Sequence, residues 1–316
     1  MSLARRDFLR TTLLATAAPF VAPLGLARAA SPGRVDGPFQ MLRRGVGVYT
    51  GGRGGAIGLL ASPDALVVVD TQFADTAAAF WTALRAADGP APGRARIDVL
   101  VNTHHHGDHT AGNVALAPHA TRHVAHAAAH GLQRAAAVQA GTLAQQALPR
   151  EGVTVPWRVD LGGGETMALH PMGPSHTAGD LVVHFEAANV AHVGDLVFNR
   201  MVPFVDLAGG ASTEGWMQSL DRLATMFDDE TLVIFGHGAP GIGVGRRADL
   251  RVMRDFLAAL VATVAEARAA GRTADELATL ERLPAFPDHF SEARRQALPS
   301  ALRAVYAEQS RRQAPR

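Results

Sequence analysis

Short apolar runs recur along the chain, and each gives way to a polar or glycine-rich segment. Residues 45–49, 56–60 and 65–69 predict three successive strands, with Gly51-Gly52-Arg53-Gly54-Gly55 as the hairpin tip between the first two. Residues 74–86 are helical in composition and lead into the apolar run 97–101, so a β-rich opening passes into strand–helix alternation. A second half of the same kind runs from Trp157 to His237, with strands at 181–185, 190–193 and 232–235. From about Arg246 the apolar positions take helical spacing, as in Leu250, Met253, Phe256, Leu257 and Leu260, and Pro284, Pro287 and Pro299 divide that tract into several helices.

The strand at 97–101 opens into Thr103-His104-His105-His106-Gly107-Asp108-His109-Thr110. Imidazole and carboxylate suit zinc and similar divalent ions, and alternate residues of an extended loop point the same way, so His104 and His106 can share one ion. Asp108 and His109 then face the space beside it, while His105 points away and takes an outer or surface role. Remote segments offer further ligands at strand ends: His176 in a Gly/Pro-bounded loop, Asp195 after the run 190–193, and His237 between two glycines. Asp70, after the run 65–69, is a candidate to hold the outer nitrogen of a ligating histidine, with a turn or helix cap before Thr71 as the other reading. His119, His123, His126 and His130 share helical spacing, but 120–125 reads as a strand entering a helix at 127–138, so they are not taken as ligands. His170, His184 and His192 lie on strand bodies and read as sheet residues.

This ordered set resembles the metallo-β-lactamase superfamily of metallohydrolases over roughly residues 40–243. The resemblance implies an α/β fold, a four-layered αββα sandwich with metals at one rim of two sheets and a C-terminal helical annex. It implies His104, His106 and His176 on a first ion, Asp108, His109 and His237 on a second, and Asp195 bridging both. The chain has no cysteine, and Asp195 stands where a Cys ligand or a bridge would be, which is closer to the glyoxalase II and lactonase branches. In such a site a water shared by two Zn2+ ions loses its proton near neutral pH and attacks a carbonyl, with Asp108 both binding the second ion and orienting the nucleophile. The implied function is hydrolysis of a small ester, lactone, thioester or amide, β-lactams included, with iron or manganese as alternatives to zinc. The rival on the same scaffold is a mononuclear iron persulfide dioxygenase. The hairpin tip at 51–55 is either a flexible flap over the metals or a surface turn. Lysine is absent, which excludes a Schiff base and the substrate-carboxylate Lys of several lactamases. Arg200 is the candidate substitute as anion anchor, its other reading being a loop salt bridge.

At the N-terminus, Arg5-Arg6 precede Phe8-Leu9, a modestly apolar stretch over 11–26, and Ala27-Arg28-Ala29. This resembles a twin-arginine export signal over 1–29, which implies the twin-arginine translocase as export partner and a periplasmic destination. Thr, Gly and two Pro residues in the stretch argue against a stable membrane span after signal removal. Export changes the balance from 30 basic and 29 acidic residues to 26 against 28. A chain that is not notably basic argues against nucleic acid, whose phosphates are bound by clustered Lys and Arg, so a small-molecule substrate is expected. The expected organisation is a signal peptide over 1–29, the metallohydrolase domain over 40–243 and a helical extension over 246–316.

Overall fold

The computed structural model describes residues 38–49, 51–239, 241, 243–283, 285–287 and 297–313. The export segment expected over 1–29 lies outside them, as does Pro284. The first half contains β1 (Phe39–Arg43), β2 (Val46–Tyr49), β3 (Ile57–Ala61), β4 (Leu66–Val69), α1 (Ala74–Leu84), β5 (Ile97–Asn102), α2 (Gly107–Thr110), α3 (Asn113–Leu116), β6 (Ala120–His126), α4 (Ala127–Gln139) and β7 (Glu151–Val153). The second contains β8 (Trp157–Asp160), β9 (Thr166–Gly173), β10 (Asp180–Phe185), β11 (Val190–His192), β12 (Phe198–Asn199), α5 (Thr213–Met226), β13 (Leu232–Ile234), β14 (His237–Gly238) and β15 (Val244–Arg246). Then follow α6 (Arg247–Ala269), α7 (Ala274–Leu277) and α8 (Ala297–Gln313).

Two mixed sheets result, ordered β1-β2-β3-β4-β5-β6-β7 and β15-β13-β11-β10-β9-β8. Side chains alternate across a strand, so each buried strand serves two layers. On β4, Val67 and Val69 join Val99, Val101, Val183, Phe185 and Ile234 between the sheets. Leu66 and Val68 face the other way, with Phe80, Trp81 and Leu84 of α1. The far face of the second sheet, through Val182, Ala191 and Val233, packs on Trp216 and Leu220 of α5, Phe256 and Leu260 of α6, and Leu302 and Val305 of α8. The order is therefore helix, sheet, sheet, helix, and the tract after Arg246 forms much of the second helical layer.

This topology collects strand ends on one rim. β4 and β5 are parallel neighbours, as are β11 and β13, so Asp70, the 103–110 turn, Asp195 and the segment leading to His237 all emerge from the same edge of their sheets. β10 runs antiparallel to β11 with Val183 opposite His192, which brings the β9–β10 turn holding His176 to that edge too.

Candidate metal centre

The apolar side chains of β5 are buried, and the strand ends where the chain turns into α2, which forces His104, His106 and His109 inward at the rim. Four side chains, His104, His106, His176 and Asp195, each offer an atom within 4.8 Å of the others, and Asp108, His109 and His237 form a second such group. Asp195 lies between them. Its Oδ1 is 3.0 Å from His109 Nε2, and its Oδ2 is 3.4 Å from His176 Nε2, 3.5 Å from His237 Nε2 and 3.7 Å from His104 Nε2. Asp108 Oδ2 stands 3.0 Å from His237 Nε2.

The outer nitrogens set which ring atoms carry lone pairs, assigned here from their partners. His109 Nδ1 donates to Asp70 Oδ2 at 2.8 Å, leaving Nε2 free to face the centre. Thr103 Oγ1 donates to the same carboxylate at 2.7 Å and accepts from His104 Nδ1 at 3.0 Å, which frees His104 Nε2. His106 Nε2 donates to Asp206 Oδ2 at 2.9 Å and turns its Nδ1 inward. That Nδ1 lies 3.0 Å from both His104 Nε2 and His176 Nε2. Imidazole lone pairs meeting at that spacing repel one another unless a cation or shared proton lies among them. Asp195 Oδ1 is buried and forms no aligned hydrogen bond despite its nearness to His109. Converging nitrogens around an orphaned buried carboxylate oxygen fit a divalent cation.

The electrostatics agree. Burial disfavours charge on Asp195, yet the surrounding imidazoles, His109 foremost, hold its carboxyl well below the usual carboxylate range. Burial is the largest single influence on His109 and His237 and works against their charge, but their carboxylate partners, Asp195 foremost, together outweigh it in both. Asp70 helps raise His109 well above its ordinary value, and Asp108 helps push His237 up to about 9. His176 also feels Asp195, but burial, with His106, His109 and His237 adding to it, drives it down to about 3. The rim thus concentrates negative field on a spot lined with lone pairs, which draws positive charge.

Glycines are required where backbone closes on the site. A Cβ on Gly55 would lie 2.0 Å from His109 Cε1, and one on Gly236 would lie 2.0 Å from Asp195 Oδ1. The Gly51–Gly55 tract is tied down rather than free: Gly55 N–H donates to Asp108 O at 3.1 Å, and Gln72 Nε2 donates to the carbonyls of Gly51 and Gly55 at 3.2 and 2.8 Å.

Asp70 is fully buried, and it accepts from Thr103 N at 2.7 Å as well as from Thr103 Oγ1 and His109. His105 lies at the rim, its Nε2 3.4 Å from Asp206. Arg200 faces Asp249 at 4.0 Å, the salt-bridge alternative to its expected anion-binding role. Asp206 and Asp180 drew no notice in the sequence. Asp180 accepts from Thr177 N and Oγ1 at 2.8 and 2.7 Å and so shapes the His176 turn, and burial pushes its carboxyl up to about 8. The sequence cue was its place one residue after Gly179 at a strand start.

The model of the Metallo-beta-lactamase superfamily matches residues 50–237, the span holding every side chain in these two groups. The chain belongs to the metallo-beta-lactamase superfamily. Within it, a hydroxyacylglutathione hydrolase of Acidiphilium cryptum is 35% identical over 236 residues, covering 70% of this chain and 82% of that one. An uncharacterized protein of Mycobacterium bovis is 35% identical over 96 residues, so the match spans 28% of this chain and only 42% of that relative. A solved metallo-beta-lactamase from Pontibacter korlensis shares the fold at TM-score 0.56 and 18% identity, over 69% of this chain and 97% of that one. In this superfamily frame the His/Asp groups at the rim are suited to divalent metal.

Proposed function

We propose that the protein is an exported dinuclear zinc hydrolase that cleaves a small ester, lactone, thioester or amide. The observation that carries this reading is Asp195, whose carboxylate meets both ligand groups: Oδ1 faces His109, and Oδ2 faces His104, His176 and His237. A bound pair of divalent ions supplies an acidified water and polarises the scissile carbonyl.

The protein's own residues prepare that chemistry. Asp70 and Asp206 each hold a histidine in the tautomer that presents its lone pair, which spares the site a reorganisation cost on binding. Asp108 is 32% exposed while His109 and Asp195 are closed off, so its carboxylate is on the open side of the centre and is placed to orient the attacking water. His237 Nε2 reaches both Asp108 and Asp195, at 3.0 and 3.5 Å, and so links the open carboxylate to the buried one. Neither a serine nor a cysteine nucleophile is needed. The relative named hydroxyacylglutathione hydrolase supports the transfer of an acyl group to water, and the solved neighbour named a metallo-beta-lactamase keeps the amide in range.

Metal analysis of purified variants tests the two-site reading. His237→Ala is expected to lose mainly one ion, and Asp195→Ala to weaken both. Equal two-ion content in wild type and His237→Ala contradicts it. Export is tested separately by fractionation: changing Arg5 and Arg6 together to lysine is expected to leave folded, metal-loaded protein in the cytoplasm, and unchanged periplasmic delivery contradicts a twin-arginine route.

A further inference from the structure

The segment between Asn199 and Ser212 contributes no side chain to the two ligand groups, yet it is fastened to them at several points. Asp206 Oδ2 accepts from His106 Nε2 at 2.9 Å and lies 3.4 Å from His105 Nε2, while its Oδ1 accepts from Gly209 N at 2.8 Å. Gly209 O accepts from Ala178 N at 2.8 Å, two residues after His176. Val202 and Val205 are buried in the second core. A loop held by buried valines and a charged clamp keeps its shape, so any side chain that it leaves outside is left there by the fold.

Phe204 is that side chain. It sits between the two buried valines but is 54% exposed, and it is the one aromatic among the large apolar side chains left exposed in the described residues. Its ring centroid is 5.5 Å from that of His106, tilted by 58°. His106, Asp108 and His237 keep 17%, 32% and 12% of their side-chain surface open, whereas His104, His109, His176 and Asp195 keep 3% or less. The open part of the centre therefore includes His106, against which Phe204 stands. Arg53 of the Gly51–Gly55 tract and Arg200, soon after Asp195, already face carboxylates: Arg53 donates to Asp75 at 3.1 Å, and Arg200 lies 4.0 Å from Asp249.

We infer that Phe204 is a specificity-determining wall for an uncharged, apolar acyl or alkyl arm of the substrate, set on the His106 side of the centre by the Asp206 clamp. This deepens the hydrolase reading and rests on it. An aromatic face held rigidly in water gains by being covered, and each methylene laid fully against it is worth up to about fourfold in binding. A polar or anionic arm gains nothing there.

The test is a chain-length series on the metal-loaded protein: acetyl, butyryl and octanoyl esters and thioesters of one leaving group, with wild type, Phe204→Ala and Phe204→Leu. Wild-type kcat/KM is expected to rise along the series by about two- to fourfold per methylene until the ring is covered. Phe204→Ala is expected to flatten the rise with the acetyl rate and the metal content kept, and Phe204→Leu to restore most of it. A flat wild-type series, or equal losses on all acyl chains in Phe204→Ala, overturns the inference. Binding of alkyl hydroxamates of the same chain lengths gives a readout free of turnover. If no ester, lactone, thioester or amide is cleaved while hydroxamate Kd still tightens with chain length and loses that dependence in Phe204→Ala, the hydrolase reading fails and the wall stands. If hydroxamate Kd ignores chain length, the wall fails whatever the turnover.

Discussion

Asp70 Oδ2 accepts the Nδ1–H of His109 at 2.8 Å, and both side chains are completely buried. Asp70 reaches that position from a left-handed backbone, φ +63°, which aspartate tolerates better than most residues. The same carboxylate accepts two bonds from Thr103, whose hydroxyl accepts from His104. One residue thus orients a histidine from each ligand group.

Asp70→Asn is therefore expected to harm metal binding more than its distance from the centre suggests. The amide can offer N–H where an acceptor is needed, and His109 then loses the partner that fixes its tautomer. Metal affinity is expected to fall about 10–100-fold, with a stability loss of ~1–3 kcal/mol. Chelator competition and urea unfolding measure the two. Unchanged affinity would contradict the role given to Asp70.

A buried imidazole of the first sheet contributes to acid stability. His123 lies on β6, its Nε2 3.0 Å from Asn102 Oδ1, and burial, with Arg150 and His130 adding to it, lowers its pKa from 6.5 to about 3. A histidine held neutral in the fold but free to protonate when unfolded makes the unfolded chain bind more protons below its ordinary pKa. Stability tied to this group is intact above 6.5 and is lost as pH falls from there toward 3, by up to about 1.4 kcal/mol per pH unit. His123→Gln is expected to flatten that acid limb relative to wild type, with some loss at neutral pH. Urea midpoints across the range check it, and parallel limbs in the two proteins would rule it out.

The C-terminal helix reaches the centre through a cap. Glu308 of α8 accepts from Thr213 N at 3.1 Å and Thr213 Oγ1 at 2.7 Å at the start of α5, and Ser212 N, next in line, donates to Ser175 O at 2.9 Å beside His176. Glu308→Ala leaves those buried donors unpaired and is expected to cost ~1–3 kcal/mol, with Glu308→Gln costing less. Thermal unfolding gives the comparison. Equal melting temperatures for wild type and Glu308→Ala would show that the annex is not coupled to α5 in this way.

What the sequence makes legible follows from local physics. Apolar runs such as 65–69 and 97–101 are strands because their side chains serve two buried layers, and they sit within a residue of β4 and β5. Most side chains grouped at the rim are visible because they follow such a run, where parallel neighbours bring the ends together, and His176 because it lies in a Gly/Pro-bounded turn before one. Asp206 was not visible. It lies 100 residues from His106 in a loop without periodicity, and only the tertiary fold pairs them. Phe204 is hidden for a related reason, since one aromatic among Val202, Pro203 and Val205 looks like core. β1 and the two-residue pair β12–β14 also escaped notice: Phe39–Arg43 is nowhere fully buried, and two residues carry no period. The sequence offers Arg200 both as an anchor and as a salt-bridge partner, but not the identity of that partner, because Asp249 comes from α6, beyond the span of the motif.

The central claim is that two redox-inert ions activate water at this rim. Elemental analysis of the purified protein paired with an oxygen electrode during turnover tests it most directly. The account predicts close to two zinc ions per chain, and cleavage of thioester, lactone or β-lactam substrates at the same rate with or without oxygen. About one iron per chain, with oxygen uptake accompanying turnover of a persulfide, would contradict it.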